Sequence, residues 1–109
     1  MTDAYKVLAQ NSPVAGDSVN IYTVPASTQA IIDSVVVTNR GTADTYRLSV
    51  NVSGAGVGYN ASFIAYDSPI AANDSITLNL GITMGTGDIF RVRSANGNSS
   101  FSLYGVEIS

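Results

Sequence analysis

Three arginines carry the most directed charge in this sequence. Arg91 and Arg93 are two residues apart, and side chains in a strand repeat every second residue, so both point to the same side. Arg47 lies within Tyr46-Arg47-Leu48-Ser49-Val50-Asn51-Val52 and faces outward by the same alternation. Guanidinium groups on a sheet face either keep it soluble or dock it onto an acidic partner, since arginine is enriched at protein interfaces. The seven aspartates and Glu107 are scattered over turns and strand ends. Asp17, Asp44, Asp74 and Asp88 stand where an aspartate caps a turn by accepting backbone N–H bonds. No Asp-x-Asp spacing occurs, so a calcium site would have to be assembled from distant loops, and no metal site is expected.

Other chemistries lack their side chains. There is no cysteine and no histidine, which removes thiolate nucleophiles, zinc–thiolate sites, disulfides and the usual general base near neutral pH. A Ser-His-Asp triad is impossible, and Gly-x-Ser-x-Gly is absent. Gly54-Ala55-Gly56-Val57-Gly58 lacks the Lys-Ser/Thr and helix of a phosphate loop, and is expected to be a hairpin loop. Nothing marks a carboxylate pair for glycoside hydrolysis. Asn-x-Ser at Asn51, Asn60, Asn73 and Asn98 is close to what chance allows in so hydroxyl-rich a chain. The expectation is a non-enzymatic protein without cofactors.

The 109 residues suffice for one domain. Charged residues are only 12%, and polarity comes instead from Ser, Thr and Asn, which fill 32 positions. A net charge of −3 argues against a nucleic-acid partner, which would call for a basic stripe. Ordinary hydrophobicity argues against disorder. The opening Met1-Thr2-Asp3-Ala4-Tyr5-Lys6 does not read as a targeting signal, and no segment approaches a membrane span, so no membrane partner is expected.

Period-two alternation runs along nearly the whole chain. Strands are expected at Ala4–Ala9, Ser18–Val24, Ala30–Asn39, Tyr46–Val52, Ser62–Tyr66, Ile76–Leu80, Phe90–Arg93 and Ser100–Ile108, with no helix. About eight strands at this spacing predict an all-β, two-sheet antiparallel β-sandwich, jelly-roll-like. Its core should hold Ile21, Leu48, Val50, Ile76, Leu78, Leu80, Val92, Phe101 and Leu103. Residues 1–10 form an N-terminal arm or edge strand, and 11–109 the sandwich domain. Turns are expected at Ser68-Pro69, Gly85–Asp88, Asn96–Asn98 and similar clusters. Two segments depart from simple alternation. In Ala30–Asn39, Ile31, Ile32, Val35, Val36 and Val37 put apolar groups on both faces, as in a strand covered on both sides or by a neighbouring subunit. In the last strand Phe101 and Leu103 differ in parity from Val106 and Ile108, and a bulge at Gly105 would bring all four to one face. A weak internal echo joins Ser12-Pro13-Val14-Ala15 to Ser68-Pro69-Ile70-Ala71 and, at nearly the same offset, Val35 to Val92 and Asn39 to Asn96. It reads either as duplication or as shared turn chemistry.

Ile21-Tyr22-Thr23-Val24-Pro25-Ala26, Ala30–Arg40, Ile64–Ser75, Leu80-Gly81-Ile82-Thr83, Gly87-Asp88 and Tyr104-Gly105-Val106-Glu107-Ile108 together resemble a family of small β-sandwich virion proteins of tailed bacteriophages. The resemblance spans roughly positions 19 to 108. It implies a virion structural protein assembled in the host cytoplasm, most of all a capsid decoration (cement) protein stabilising the head. It also implies contact with the major capsid protein or another virion protein, and self-association as a homotrimer. The alternatives are a neck, tail or fibre-associated component, or a carbohydrate-binding sandwich. Within that reading the apolar stretch Ile31, Val35, Val36, Val37 is the first interface candidate and the N-terminal arm the second. Arg47, Arg91 and Arg93 are the rim contacts.

Overall fold

The alternation becomes eight strands in the computed structural model, which describes residues 2–54 and 60–109. In chain order they are β1 (Asp3–Asn11), β2 (Ser18–Thr23), β3 (Gln29–Asn39), β4 (Asp44–Asn51), β5 (Phe63–Ile70), β6 (Ser75–Met84), β7 (Ile89–Ser94) and β8 (Ser99–Ile108). A 3₁₀ turn at Asn60–Ser62 precedes β5, and no α-helix occurs among the described residues. Most of the glycine-rich Gly54–Gly58 segment, like Met1, lies outside the described residues.

The strands form two antiparallel sheets, sheet I in the order β1-β8-β3-β6 and sheet II in the order β2-β7-β4-β5. The chain is therefore an all-β, two-sheet antiparallel sandwich. Of the eight strands, only β4 and β5 are neighbours both in the chain and in a sheet, an order consistent with the jelly-roll-like winding expected. The N-terminal arm is the edge strand of sheet I, hydrogen-bonded along β8. Raising or lowering every strand number by four turns the order of sheet I into that of sheet II. Of the echoed residues, Val35 and Val92 fall on strands related in this way, whereas Asn39 ends β3 and Asn96 lies in the turn after β7. Val35 and Val92 are both buried in the core. Asn39 and Asn96 each accept, through Oδ1, the backbone N–H two residues on, from Gly41 at 3.0 Å and Asn98 at 3.1 Å.

Leu48, Val92, Phe101 and Leu103 are fully buried between the sheets, and Ile21, Val50, Ile76, Leu78 and Leu80 pack partly buried against them. Tyr22, Ile32, Met84 and Phe90 complete the centre. Val52, expected on the same face as Leu48, follows the end of β4 and is exposed. Ser68 and Pro69, expected in a turn, lie inside β5. That strand is an edge, where a residue without an N–H is tolerated.

The two irregular segments resolve differently from expectation. On β3, Ile32 pairs with Gly105 and Ser34 with Tyr104, so Asp33 is an extra residue against β8. This bulge reverses the alternation: Ile32, Val35 and Val37 face the core, while Ile31 and Val36 face outward, half-buried. Along β8 the register runs through Gly105 without an inserted residue, and the extra residues are Leu8 on β1 and Asp33 on β3. Phe101 and Leu103 therefore lie in the core, and Val106 lies beside Tyr5 and Ile31 on the outer side. Gly105 is required for another reason: a Cβ there would stand 2.1 Å from the Ile31 carbonyl oxygen.

Buried polar groups tie the ends of the strands. Asp44, 5% exposed, accepts from the hydroxyls of Ser94 and Ser99 and from the backbone N–H groups of Thr45 and Asn96. Burial pushes its carboxyl upward, but these four donors outweigh it and hold the group below the usual range. Asn39 donates to the carbonyls of Thr42, Ile70 and Ala71, joining the end of β3 to the β5–β6 turn. At the far end Glu107 accepts from Lys6 Nζ at 2.6 Å and from the Tyr22 hydroxyl at 2.5 Å. The Lys6 and Tyr22 bonds lower the Glu107 carboxyl, while burial and the Glu107 bond raise the Tyr22 phenol.

Three outcomes follow. Gly105→Ala should cost about 3 kcal/mol or more, because the new methyl meets backbone rather than a movable side chain; urea unfolding measures it. Asp44 and Glu107 titrate lower folded than unfolded, so the stability they lend is present above the ordinary carboxylate range and lost as pH falls through their folded values. Tyr22 titrates higher folded, so its share is present below the ordinary phenol value of about 10 and lost as pH rises beyond it. With no histidine, urea midpoints should be level from about pH 5 to 9 and fall on both sides. Asp44→Asn should lower stability at neutral pH by about 2 kcal/mol and flatten the acid limb.

Candidate interaction surface

The outer face of sheet II gathers most of the basic side chains. Arg47 and Arg93 are directly opposite each other on β4 and β7, and Arg91 is opposite Ser49 two pairs along. β5 borders this face as an edge strand and is bulged: Tyr46 pairs with Ser68 and Leu48 with Ala65, so Tyr66 and Asp67 both stand against Arg47. Asp67 takes a left-handed backbone, φ 51°, which a residue with a Cβ adopts at a cost. The contacts that hold it there are ionic. Arg47 Nε donates to Oδ1 at 2.7 Å and Nη2 to Oδ2 at 3.2 Å, a two-pronged pair. Arg93 Nη1 is 4.0 Å from the same Oδ1, and its Nε donates to the Gly16 carbonyl at 3.2 Å. The Arg47 bond above all, aided by the charges of both arginines, holds the Asp67 carboxyl below its usual range.

Aromatic surface continues the charged one. The Arg47 guanidinium carbon is 4.0 Å from the centre of the Tyr66 ring, and Tyr66 meets Phe63 edge-to-face at 4.9 Å. Tyr66 is 57% exposed, and Ile64 on the same strand is also exposed. Exposed aromatic and aliphatic groups beside arginines have the composition of a protein-binding hot spot. Among the described residues one carboxylate, Asp67, answers the two surface guanidiniums, which leaves this patch positive on a chain of net charge −3.

The expected interface residues do not form one site. Arg47 and Arg93 are on the surface of sheet II as expected, but Arg91 is only 8% exposed. Its Nε donates to Asn20 Oδ1, and its Nη1 is buried without a hydrogen-bond partner among the described residues. Arg91 is thus no rim contact: it is buried on that face, as is Ser49 opposite it. Val35 and Val37, both 0% exposed, are core residues that no partner can reach; the bulge at Asp33 is the physical reason. Ile31 and Val36 lie on the outer face of sheet I, across the sandwich from the arginines. Tyr66 and Asp67 are functional candidates that sequence reasoning missed. The β5 alternation is broken there by the bulge, and nothing in the sequence pairs position 67 with position 47. Among the turn-capping aspartates, Asp44 and Asp88 accept N–H bonds across loops, Asp74 accepts from Ser75, and Asp17 makes no side-chain bond among the described residues.

No protein-family model matches the chain, and comparison with curated proteins finds no match.

Charge substitution separates core from surface on β3. Val36→Lys should fold with a stability change within about 1 kcal/mol, whereas Val35→Lys buries an unpaired ammonium and should lose about 4 kcal/mol or fail to fold. Circular dichroism and thermal unfolding of the two variants check the assignment.

Proposed function

We propose that this chain is a non-enzymatic structural protein of a virion, most of all a decoration protein of a tailed-phage head. It docks through the bulged β5 edge and the arginines beside it. The observation that carries the docking role is the exposed Arg47–Tyr66–Asp67 cluster on an otherwise acidic chain. A positive patch with an aromatic anchor suits an acidic protein surface, such as one on a major capsid protein. The virion setting is supported by the resemblance over positions 19 to 108. A compact sandwich without cysteine also suits assembly in a reducing host cytoplasm. Self-association fits the same role, because one small patch barely offsets the entropy of association and several linked patches raise one another's effective concentration. The trimer is carried over from the family. A neck, tail or fibre position is the second reading, since it needs the same sandwich.

Binding of the purified chain to particles that lack it tests the proposal. Arg47→Glu combined with Arg93→Glu should fold and weaken binding at least tenfold, and added salt should weaken wild-type binding. Unchanged binding by the folded double variant would reject the arginine surface. Heads lacking the chain should rupture more readily under heat; intact heads with an adsorption defect would favour the appendage reading.

A further inference from the structure

The outer face of sheet I, across the sandwich from the arginines, carries an open cleft of about 440 Å³. Val106 is its floor, 9% exposed, with Tyr5 of β1 on one side and Ile31 of β3 on the other in the same cross-strand row. Tyr104 is diagonal to Tyr5 across β1 and β8, and the bulge sets Asp33 on the wall. Tyr5 is 82% exposed, and neither Tyr5 nor Tyr104 pairs with another ring among the described residues. The Asp33 carboxylate is exposed and has no hydrogen-bond or ionic partner among the described residues. Lys6 does not compensate it. That residue alternates to the opposite side of β1 from Tyr5, and Glu107, which also accepts from Tyr22 of sheet II, holds its ammonium at 2.6 Å. By the same alternation, the other charged side chain that the strands of sheet I turn to this face is Asp3, again an acid.

We infer that this cleft binds an organic cation, an ammonium or guanidinium group carried on a short aliphatic chain. The charges of the face decide the class. An anion meets repulsion from Asp33 and Asp3, and a neutral molecule leaves the Asp33 charge unanswered. A cation pairs with the Asp33 carboxylate through charge-assisted hydrogen bonds and is attracted to the tyrosine ring faces. Its aliphatic stem lies along Val106 and Ile31, as lysine and arginine stems lie along apolar surface. The other face of the molecule shows the same three parts assembled. There the Arg47 guanidinium sits over the Tyr66 ring and pairs with the Asp67 carboxylate. The cleft offers ring and carboxylate alone, and the ligand brings the cation. A volume of this size is within the ordinary range for small-molecule sites. The inference does not depend on the virion reading, because it uses the opposite face and none of the arginines.

The test is titration of the intact chain, at fixed ionic strength, with n-butylammonium, n-butylguanidinium, n-butanol and butyrate, followed by amide chemical shifts. Shifts centred on Tyr5, Ile31, Asp33 and Tyr104 are expected with at least one cation, at an affinity about fivefold or more above that of butanol and butyrate. Asp33→Asn and Tyr5→Ala, both at exposed positions and expected to fold, should each weaken that binding by about fivefold or more. Asp3→Asn removes the other acid of the face but touches no part of the cleft, and should change it by less than about twofold. Four results would overturn the inference: no response to either cation at about 50 mM, far above the millimolar range of weak specific sites; shifts elsewhere; butanol or butyrate binding as tightly as the cations; or folded Asp33→Asn losing no more affinity than Asp3→Asn. A free amine and a partner's side chain share this chemistry, and end-blocked Gly-Lys-Gly and Gly-Arg-Gly peptides separate them. Peptide binding as tight as that of the butyl cations assigns the cleft to a protein side chain, and weaker binding assigns it to a free small cation.

Discussion

The parity of β3 is the constraint on which the sandwich depends. β3 is flanked by β8 on one side and β6 on the other, so its inward side chains meet the centre of the core from inside the sheet. Strict alternation from Ile32 would send Ser34 and Val36 inward and Val35 and Val37 out. One extra residue at Asp33 prevents this and returns the two valines to the interior. The same bulge brings the Ile31 carbonyl so close to β8 that only glycine fits at position 105. It also turns an aspartate outward beside two tyrosines. A packing requirement and a surface feature thus share one residue.

The remaining order is held by small polar side chains rather than by ion pairs in bulk. Asp44 and Asn39 satisfy several donors or acceptors at the places where strands cross between sheets. This explains how a chain with few charges and many hydroxyls and amides can close its turns without buried polar groups going unpaired. Arg91 is the exception. Its Nη1 is the one buried side-chain polar atom without a partner among the described residues. A guanidinium in that position contributes little net stability, since desolvation offsets the single bond to Asn20. Val35 and Val92, joined by the sequence echo, are buried on strands four apart, β3 and β7.

The fold class was legible because alternation and turn residues are local signals. All eight strands were placed, and the expected core residues lie in or against the core. The errors sit where local pattern gives way to cross-strand geometry. Two-faced hydrophobicity in Ala30–Asn39 reads as a strand covered on both faces or by a neighbouring subunit, but the inserted Asp33 is what turns Val35 and Val37 into the core. The parity change at Gly105 looked like a bulge on β8, whereas β8 continues straight and its neighbours carry the extra residues. Pro69 resembled a turn because proline usually ends strands, yet an edge tolerates it. For the surface, alternation placed Arg47 and Arg93 correctly but could not report that Arg91 is covered, because cover comes from other parts of the chain. The grouping of Tyr5, Ile31, Asp33 and Tyr104 on the outer face of sheet I has no sequence signature: these residues come from β1, β3 and β8, which lie far apart in the chain.

The position of β8 between β1 and β3 has a consequence for how the molecule is made. Sheet I has no pair of strands that are consecutive in the chain, so β1 emerges from the ribosome without a bonding neighbour and keeps both edges free until β8 appears. At ordinary synthesis rates of about 5–20 residues per second, that interval is on the order of 5 to 20 seconds. Such non-local pairing also slows folding once the chain is whole. Only the β4–β5 pair can form early from nearby sequence, which makes it the natural starting point for assembly. A newly made chain therefore passes through a stage in which alternating, low-charge strands are open to pairing with copies of themselves, and the rate of closing sheet I sets how much of it escapes aggregation.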